Sequence, residues 1–493
     1  MSEPLFIGVD IGTQGTKAAL YTLSGKQIAS GFEPSVLYRP QDGAVEQNPD
    51  EMLGSVLRTV SDVIQKSKIN PKDVGAVGID AQMAGILAVD KDYNAVTPYD
   101  SWLDTRCAPY IDVMKNQAEE HIIKTTGGQV SFAHGPKLLW WKNERPETYK
   151  KIAKFILPSA YVTGKMCGLT AEEAYIDDTH IHFSGFGDII NRKWDSNLLA
   201  DFSIDENKLP KMVRPSQLVG SLTSDMAHVC GLLEGTPLIA GCGDSAASSF
   251  GAAVTSPGII YDVAGTASIF SCSTDSFFPD TKHKTLFCPR SVVEGLWIPL
   301  AYISGGGMCL EWFRDITGLD FLRLDRLAGE AHCGDTPYFI PHFSGRACPN
   351  NSNLHGSFTG LANSHTKGHM FRSVMESIAF EYSIYFSVLN EANPAIIPSC
   401  AYAVGGGSKS AVFNQIKADV LGTKYIPLSN SDTAAYGAAM LAAYGTEHFK
   451  DIRDAVHKET DAAVITPDIR NTELYIDKIK TYEKLLKSME LIY

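Results

Sequence analysis

Apolar residues gather in short runs at positions 5–9, 17–22 and 27–31, separated by Gly12-Thr13 and Ser24-Gly25. Runs of this length bounded by turn residues predict three successive strands. The period then changes. Met52, Leu53, Val56, Leu57, Val60, Val63 and Ile64 recur at helical spacing, behind Asn48 as N-cap and Pro49 at the first helical position. Strands are expected again at 74–79 and 86–89, and a basic, aromatic helix around Pro136-Lys137-Leu138-Leu139-Trp140-Trp141. The stretch 171–194 is polar and irregular and reads as loop. A second series starts near Pro237, with strand, turn and strand over 258–272. A strand at 402–404 runs into Gly405-Gly406-Gly407-Ser408 and then a helix through Gln415 and Val420. Alanine-rich 434–443 predicts a helix, and the polar helical segment after Thr446 is expected on the surface.

One phrase occurs in both series. The first copy is Ile7-Gly8-Val9-Asp10-Ile11-Gly12-Thr13-Gln14-Gly15-Thr16-Lys17-Ala18, the second Ile260-Tyr261-Asp262-Val263-Ala264-Gly265-Thr266-Ala267-Ser268-Ile269. Each is an apolar strand, a Gly-Thr turn and another apolar strand, the pattern of a β-hairpin. Such a turn offers backbone N–H groups and a hydroxyl to an anion, with no Cβ at the glycine to block approach. Two of them facing one another would grip a polyphosphate, so the expected architecture is an α/β, duplicated, two-lobed ATPase. The lobes are assigned to 1–240 and 241–493.

A chain of 493 residues is too long for one core. Its net charge of −13 argues against non-specific nucleic-acid binding. The ten cysteines are scattered, without a CxxC pair or zinc spacing, as expected of reduced thiols in the cytoplasm. A strand starting near Leu5 leaves no room for a signal peptide, and no apolar run reaches membrane-spanning length. A homodimer is compatible with the sequence but not required by it.

Asp10, between a β-run and the Gly12-Thr13 turn, could hold Mg²⁺ directly or through water; alternatively it is an ordinary turn aspartate. The spacing of a Walker P-loop is absent. In Gly241-Cys242-Gly243-Asp244-Ser245, an apolar strand ends in two glycines and Asp244 stands where a helix of small residues begins. That carboxylate could accept a proton from an attacking alcohol, or merely cap the helix. The triplet Gly405-Gly406-Gly407 could cradle a nucleotide; NAD binding is the poorer option, because no acidic residue ends the following strand. Gln82 and Met83 follow one strand, and Trp102, Asp104 and Arg106 follow the next apolar stretch. Together they could wall a polyol, or form a surface ion pair beside a partly buried Trp. His365 and His369 lack the Glu of a zinc-protease helix, and Trp140-Trp141 reads as core.

These residues resemble the FGGY carbohydrate kinases, of the sugar kinase/Hsp70/actin superfamily. Gly356-Ser357-Phe358-Thr359-Gly360-Leu361, His369-Met370 and Ser373-Val374-Met375-Glu376 are similar to the family's C-terminal signature. Lys137-Leu138-Leu139-Trp140 matches part of the N-terminal one, with His134 where a small hydroxyl residue or proline is usual. The resemblance implies an actin-like (ribonuclease H-like) fold with a cleft between the lobes, ATP and Mg²⁺. Asp10, Gly12, Thr13, Gln14 and Lys17 would serve the first phosphate hairpin, with Asp10 near the metal through water. Gly265 and Thr266 would form the second, and Gly405, Gly406, Gly407 and Ser408 would border the adenine and ribose. Asp244 would be the catalytic base, beside a sugar held by Gln82, Met83, Trp102, Asp104 and Arg106.

Gln82-Met83 and Trp102-x-Asp104-x-Arg106 look more like xylulokinases than glycerol kinases. Ala84, however, stands where xylulokinases usually carry His, and the loop 344–349 lacks the Glu that commonly precedes Arg346. The implied reaction is ATP-dependent phosphorylation of a primary hydroxyl on a small sugar, a ketopentose such as xylulose. Another ketose, a polyol or a sugar acid is the alternative. From other classes, an actin- or Hsp70-like assembly ATPase and a sugar sensor remain open.

Overall fold

The computed structural model describes residues 3–430, 432–457 and 463–492. The chain divides into two compact units. The first runs to Thr255 and takes in Cys288–Leu296 and the segment from Asp432; the second holds the remaining chain, including the C-terminal helix. The division thus lies beyond residue 240, for a physical reason. Pro237–Ile239 and Cys242–Gly243 both pair with Val74–Ala81, so the sheet of the first unit is complete only after 243.

At the centre of that sheet is Leu5–Ile11, antiparallel to Gly15–Thr22 and parallel to Val74–Ala81. Gly15–Thr22 pairs in turn with Gln27–Pro34 at the edge. Leu5, Ile7, Val9 and Ile11 share a core with Met52, Val56, Val60 and Val63 of the helix Pro49–Ser67. That helix is capped as its sequence predicts, the Asn48 side chain accepting from the Asp50 and Glu51 amides. The opposite sheet face is covered by the helix Thr433–Gly445. Glycine permits this: a Cβ on Gly8 would lie 1.7 Å from the Ala435 carbonyl oxygen, and one on Gly78 2.2 Å from that of Ala438. Covered on both faces, the central strand reads as a continuous apolar run rather than an alternation.

The second unit repeats this order. Leu300–Ile303, Ser268–Cys272, Ile259–Ala264, Cys400–Val404 and Tyr425–Pro427 lie side by side; Ser268–Cys272 is antiparallel to both of its neighbours, and the last two strands run parallel to the central Ile259–Ala264. Asp262 on its central strand forms a fully buried ion pair with Lys417 and accepts from the Tyr382 hydroxyl at 2.7 Å.

Two expectations need correction. Residues 175–182 are buried throughout, in short strand and 3-10 pieces, so the middle of 171–194 is an internal support rather than a loop. The C-terminal helix Ile469–Met489 is not a surface appendage either. Its Tyr475, Lys478 and Tyr482 are buried and bond to Glu376 and Glu381 of the helix Lys367–Ala392. Polar side chains that bury their heads on acidic partners look solvated in sequence.

Candidate active site

Asp10 is the last-but-one residue of the central strand of the first unit, just before the turn that Gly12 N–H closes onto the Gly15 carbonyl at 3.0 Å. In the sheet it stands opposite Lys17 and level with Asp80, which is level with Cys242 on its other side. Residues level on parallel strands project to the same face, so the Asp10 and Asp80 carboxyls are neighbours. Burial, reinforced by Asp244, pushes Asp10 up to about 7, against the lowering effects of Asp80 and Lys17. Asp80 is raised well above the usual carboxylate range, first by burial and then by Asp10 and Asp244. Fully buried, it has no hydrogen-bond partner on either oxygen apart from a proton it can share with Asp10. Asp80 was given no role from the sequence; its signal there was a carboxylate inside an otherwise apolar strand. Lys17 is paired with Asp432.

Asp244 does not cap its helix. Gly243 holds that position, and Asp244 is the first residue of Asp244–Gly251. Its Oδ1 accepts from the Ser245 amide at 2.6 Å and the Ser245 hydroxyl at 3.1 Å. The side chain is half-buried yet ringed by protein, and burial raises its pKa while the Ser245 donors and His180 pull it back. The segment that supports Asp244 carries no such signal in the sequence. Thr179 Oγ1 accepts the Gly243 N–H at 3.0 Å and donates to Asp177, which also takes His180 Nδ1 at 2.7 Å. His134 lies beside His180, with ring centroids 6.3 Å apart, and burial holds it neutral, well below the usual imidazole range.

Thr13, Gln82 and Trp102 come together. Trp102 Nε1 donates to Thr13 Oγ1 at 2.9 Å, Thr13 donates to Gln82 at 3.2 Å, and Gln82 donates to Gln47 at 2.6 Å. Met83 Sδ sits 3.6 Å from Ser245 Oγ. Ala84 has a left-handed backbone, φ 63°.

Asp104 and Arg106 turn inward instead. Arg106 Nη2 lies 2.8 Å from each of Glu46, Asp100 and Asp104, and its guanidinium covers the Trp140 ring at 4.6 Å. Asp104 also accepts the Val45 amide at 2.9 Å, and buried Lys137 donates to the Ser101 and Asp104 carbonyls. Glu46, Asp100 and Asp104 are spaced closely enough to hold a metal ion, but the Arg106 guanidinium already fills that role.

In the second unit the turn at Gly265-Thr266 is enclosed by two glycine tracts. Gly405, at φ 90°, leaves only 2.7 Å between a hypothetical Cβ and the Ala264 carbonyl oxygen; for Gly307 the distance to the Gly265 carbonyl oxygen would be 2.0 Å. Met308 N–H donates to the Thr266 carbonyl at 3.1 Å. Ser408 bonds back to the Gly405 carbonyl at 2.8 Å, within a 3-10 turn, and Ser410 rather than the triplet caps the helix Ala411–Leu421. Gly305-Gly306-Gly307 was missed, although it repeats the strand–glycines–helix pattern of Gly405-Gly406-Gly407.

The C-terminal signature supplies packing. Glu376 accepts from Arg372 at 2.9 Å, Lys478 at 2.7 Å, Tyr475 at 2.9 Å and Thr336 at 2.6 Å. His365 and His369 stack with centroids 5.7 Å apart, and His369 serves the capping box of Thr366.

Residues 5–251 match the N-terminal domain of the FGGY family of carbohydrate kinases, and 263–446 match its C-terminal domain. The chain belongs to this family. It is 27% identical to a xylulose kinase of Bacillus subtilis over 488 residues, covering 97% of this chain and 96% of that protein. A gluconokinase of Bacillus licheniformis is 26% identical over 456 residues, covering 89% and 87% of the two chains. Among solved structures, a xylulose kinase from Rhodospirillum rubrum superimposes with a TM-score of 0.90 at 25% identity, over 99% of each chain. The two-domain, actin-like FGGY fold follows, and the protein is an ATP-using carbohydrate kinase rather than an assembly ATPase. None of its described helices is long and apolar enough to cross a membrane.

Proposed function

We propose that the enzyme transfers the γ-phosphoryl group of ATP to a primary hydroxyl of a small neutral sugar, a ketopentose of the xylulose type. Asp244 carries this proposal, as a raised-pKa carboxylate whose neighbour Ser245 touches Met83 and which lies within electrostatic reach of Asp10. The sugar oxygen attacks the γ-phosphorus, its proton passes to Asp244, and the bond from that phosphorus to the ADP oxygen breaks. Gly12-Thr13 and Gly265-Thr266 offer N–H groups to the phosphates, and Gly405 to Ser408 border the nucleoside. Gln82, Met83 and Trp102 hold the sugar, while Asp104 and Arg106 keep their loop in shape.

Magnesium fits the residues present: Asp10 and the partnerless oxygens of Asp80 offer the hard oxygen donors that it takes. When bound, it neutralises phosphate charge. The ten free cysteines support a cytoplasmic setting, in which they would stay reduced.

A neutral sugar is favoured over a sugar acid by the state of the cations near these residues. Arg106 is taken up by three carboxylates, Lys17 by Asp432, and Lys137 by backbone carbonyls. Coupled ADP release over D-xylulose, L-xylulose, D-ribulose, erythrulose, glycerol, gluconate and pentitols tests this. Turnover is expected with a ketose; gluconate as the best substrate would overturn the neutral-sugar assignment.

A further inference from the structure

The carboxylates of the first unit fall into two groups of opposite character. Glu46, Asp100 and Asp104 surround a guanidinium and are satisfied by it. Asp80 has no such cation. It is fully enclosed, and both of its oxygens lack a hydrogen-bond partner among the described residues, apart from a proton shared with Asp10. A buried carboxylate without a positive partner is costly and usually marks a group that something else completes. Its position says what that is. Asp80 is level with Asp10 on the adjoining parallel strand, and level on its other side with Cys242, two residues before Asp244. The Asp10 and Asp80 carboxyls therefore lie side by side at one end of the sheet, with Asp244 within electrostatic reach, and Lys17, the cation facing Asp10, is shared with Asp432.

We propose that Asp80 is a further carboxylate of the divalent-cation site, holding Mg²⁺ together with Asp10. This deepens the kinase assignment and rests on it for the nature of the phosphoryl donor. Mg²⁺ keeps much of its water shell, so a second carboxylate can act through bound water without displacing Asp10. Removing a supporting group of this kind typically weakens metal binding about 10–100-fold.

The test uses the full-length protein and Mn²⁺ as a paramagnetic stand-in, with free Mn²⁺ followed by electron paramagnetic resonance, with and without ADP. Asp80→Asn, which keeps size and shape, is expected to weaken Mn²⁺ binding at least about tenfold and to raise the Mg²⁺ concentration for half-maximal turnover in parallel. Asp80→Ser serves as a second variant should Asn disturb folding, and circular dichroism checks both. In thermal melts, Mg²⁺ should stabilise the wild type more than either folded variant. Unchanged Mn²⁺ affinity and an unchanged Mg²⁺-induced melting shift in a folded variant would overturn the proposal. The kinase assignment fails separately, if the wild type binds Mn²⁺ in an Asp80-dependent way yet phosphorylates no sugar.

Discussion

Asp80 and Asp10 make the free protein's stability depend on pH, and the sign follows from their burial. Both are raised above the ordinary carboxylate range. A raised carboxyl contributes stability that is fully present below its unfolded pKa and is lost as pH rises through its folded one. The penalty therefore grows as the pH climbs from about 4 towards and past neutrality. In metal-free buffer, Asp80→Asn should melt higher than the wild type, with the advantage widening between about pH 5 and about pH 8. A constant difference across that range would show that the carboxyl does not titrate as described. Asp244 and Asp10 stand out as candidates in the sequence because glycines beside them allow close approach of a ligand. Asp80 does not, because only strand register, invisible in one sequence, sets it beside Asp10. The inward turn of Asp104 and Arg106 was equally hidden, since their partners include Glu46, far back in the chain.

At the level of elements, the buried segment 175–182 supports the strand end that carries Asp244, the proposed base. Thr179→Val would leave the Gly243 N–H without its acceptor, at a cost of about 1–3 kcal/mol in unfolding free energy, whereas Thr179→Ser should retain the bond. Urea denaturation reads the first effect, and a kcat lowered in the valine variant alone reads the displacement of Asp244. Equal behaviour of the two variants would remove Thr179 from this role. In the second unit, Glu376→Ala would strand Arg372 and Lys478 in the interior, and a loss of about 3–5 kcal/mol is expected. Calorimetry checks this, with no change in the melting transition as the contrary result. Helices and hairpins with regular periodicity were predictable. These two supports were not, because buried hydrogen-bonded polar groups carry the same sequence pattern as solvated ones.

Across the whole molecule, one sheet order is used twice, each time with a Gly-Thr hairpin at its centre. The hairpins alone revealed the duplication. The sheets confirm it, although the insertions between their strands share no visible pattern. The helix Thr433–Gly445, far along the chain, closes the sheet of the first unit because Gly8 and Gly78 admit it. That return of the chain explains why a single boundary near 240 was too simple. The proposed catalysis rests on Asp244 within this frame. The most direct measurement is steady-state turnover of Asp244→Asn on the best sugar, alongside calorimetric binding of sugar and Mg-ATP. Intact binding with turnover at least about a hundredfold lower is predicted. Near-normal turnover would contradict the assignment of Asp244 as the base.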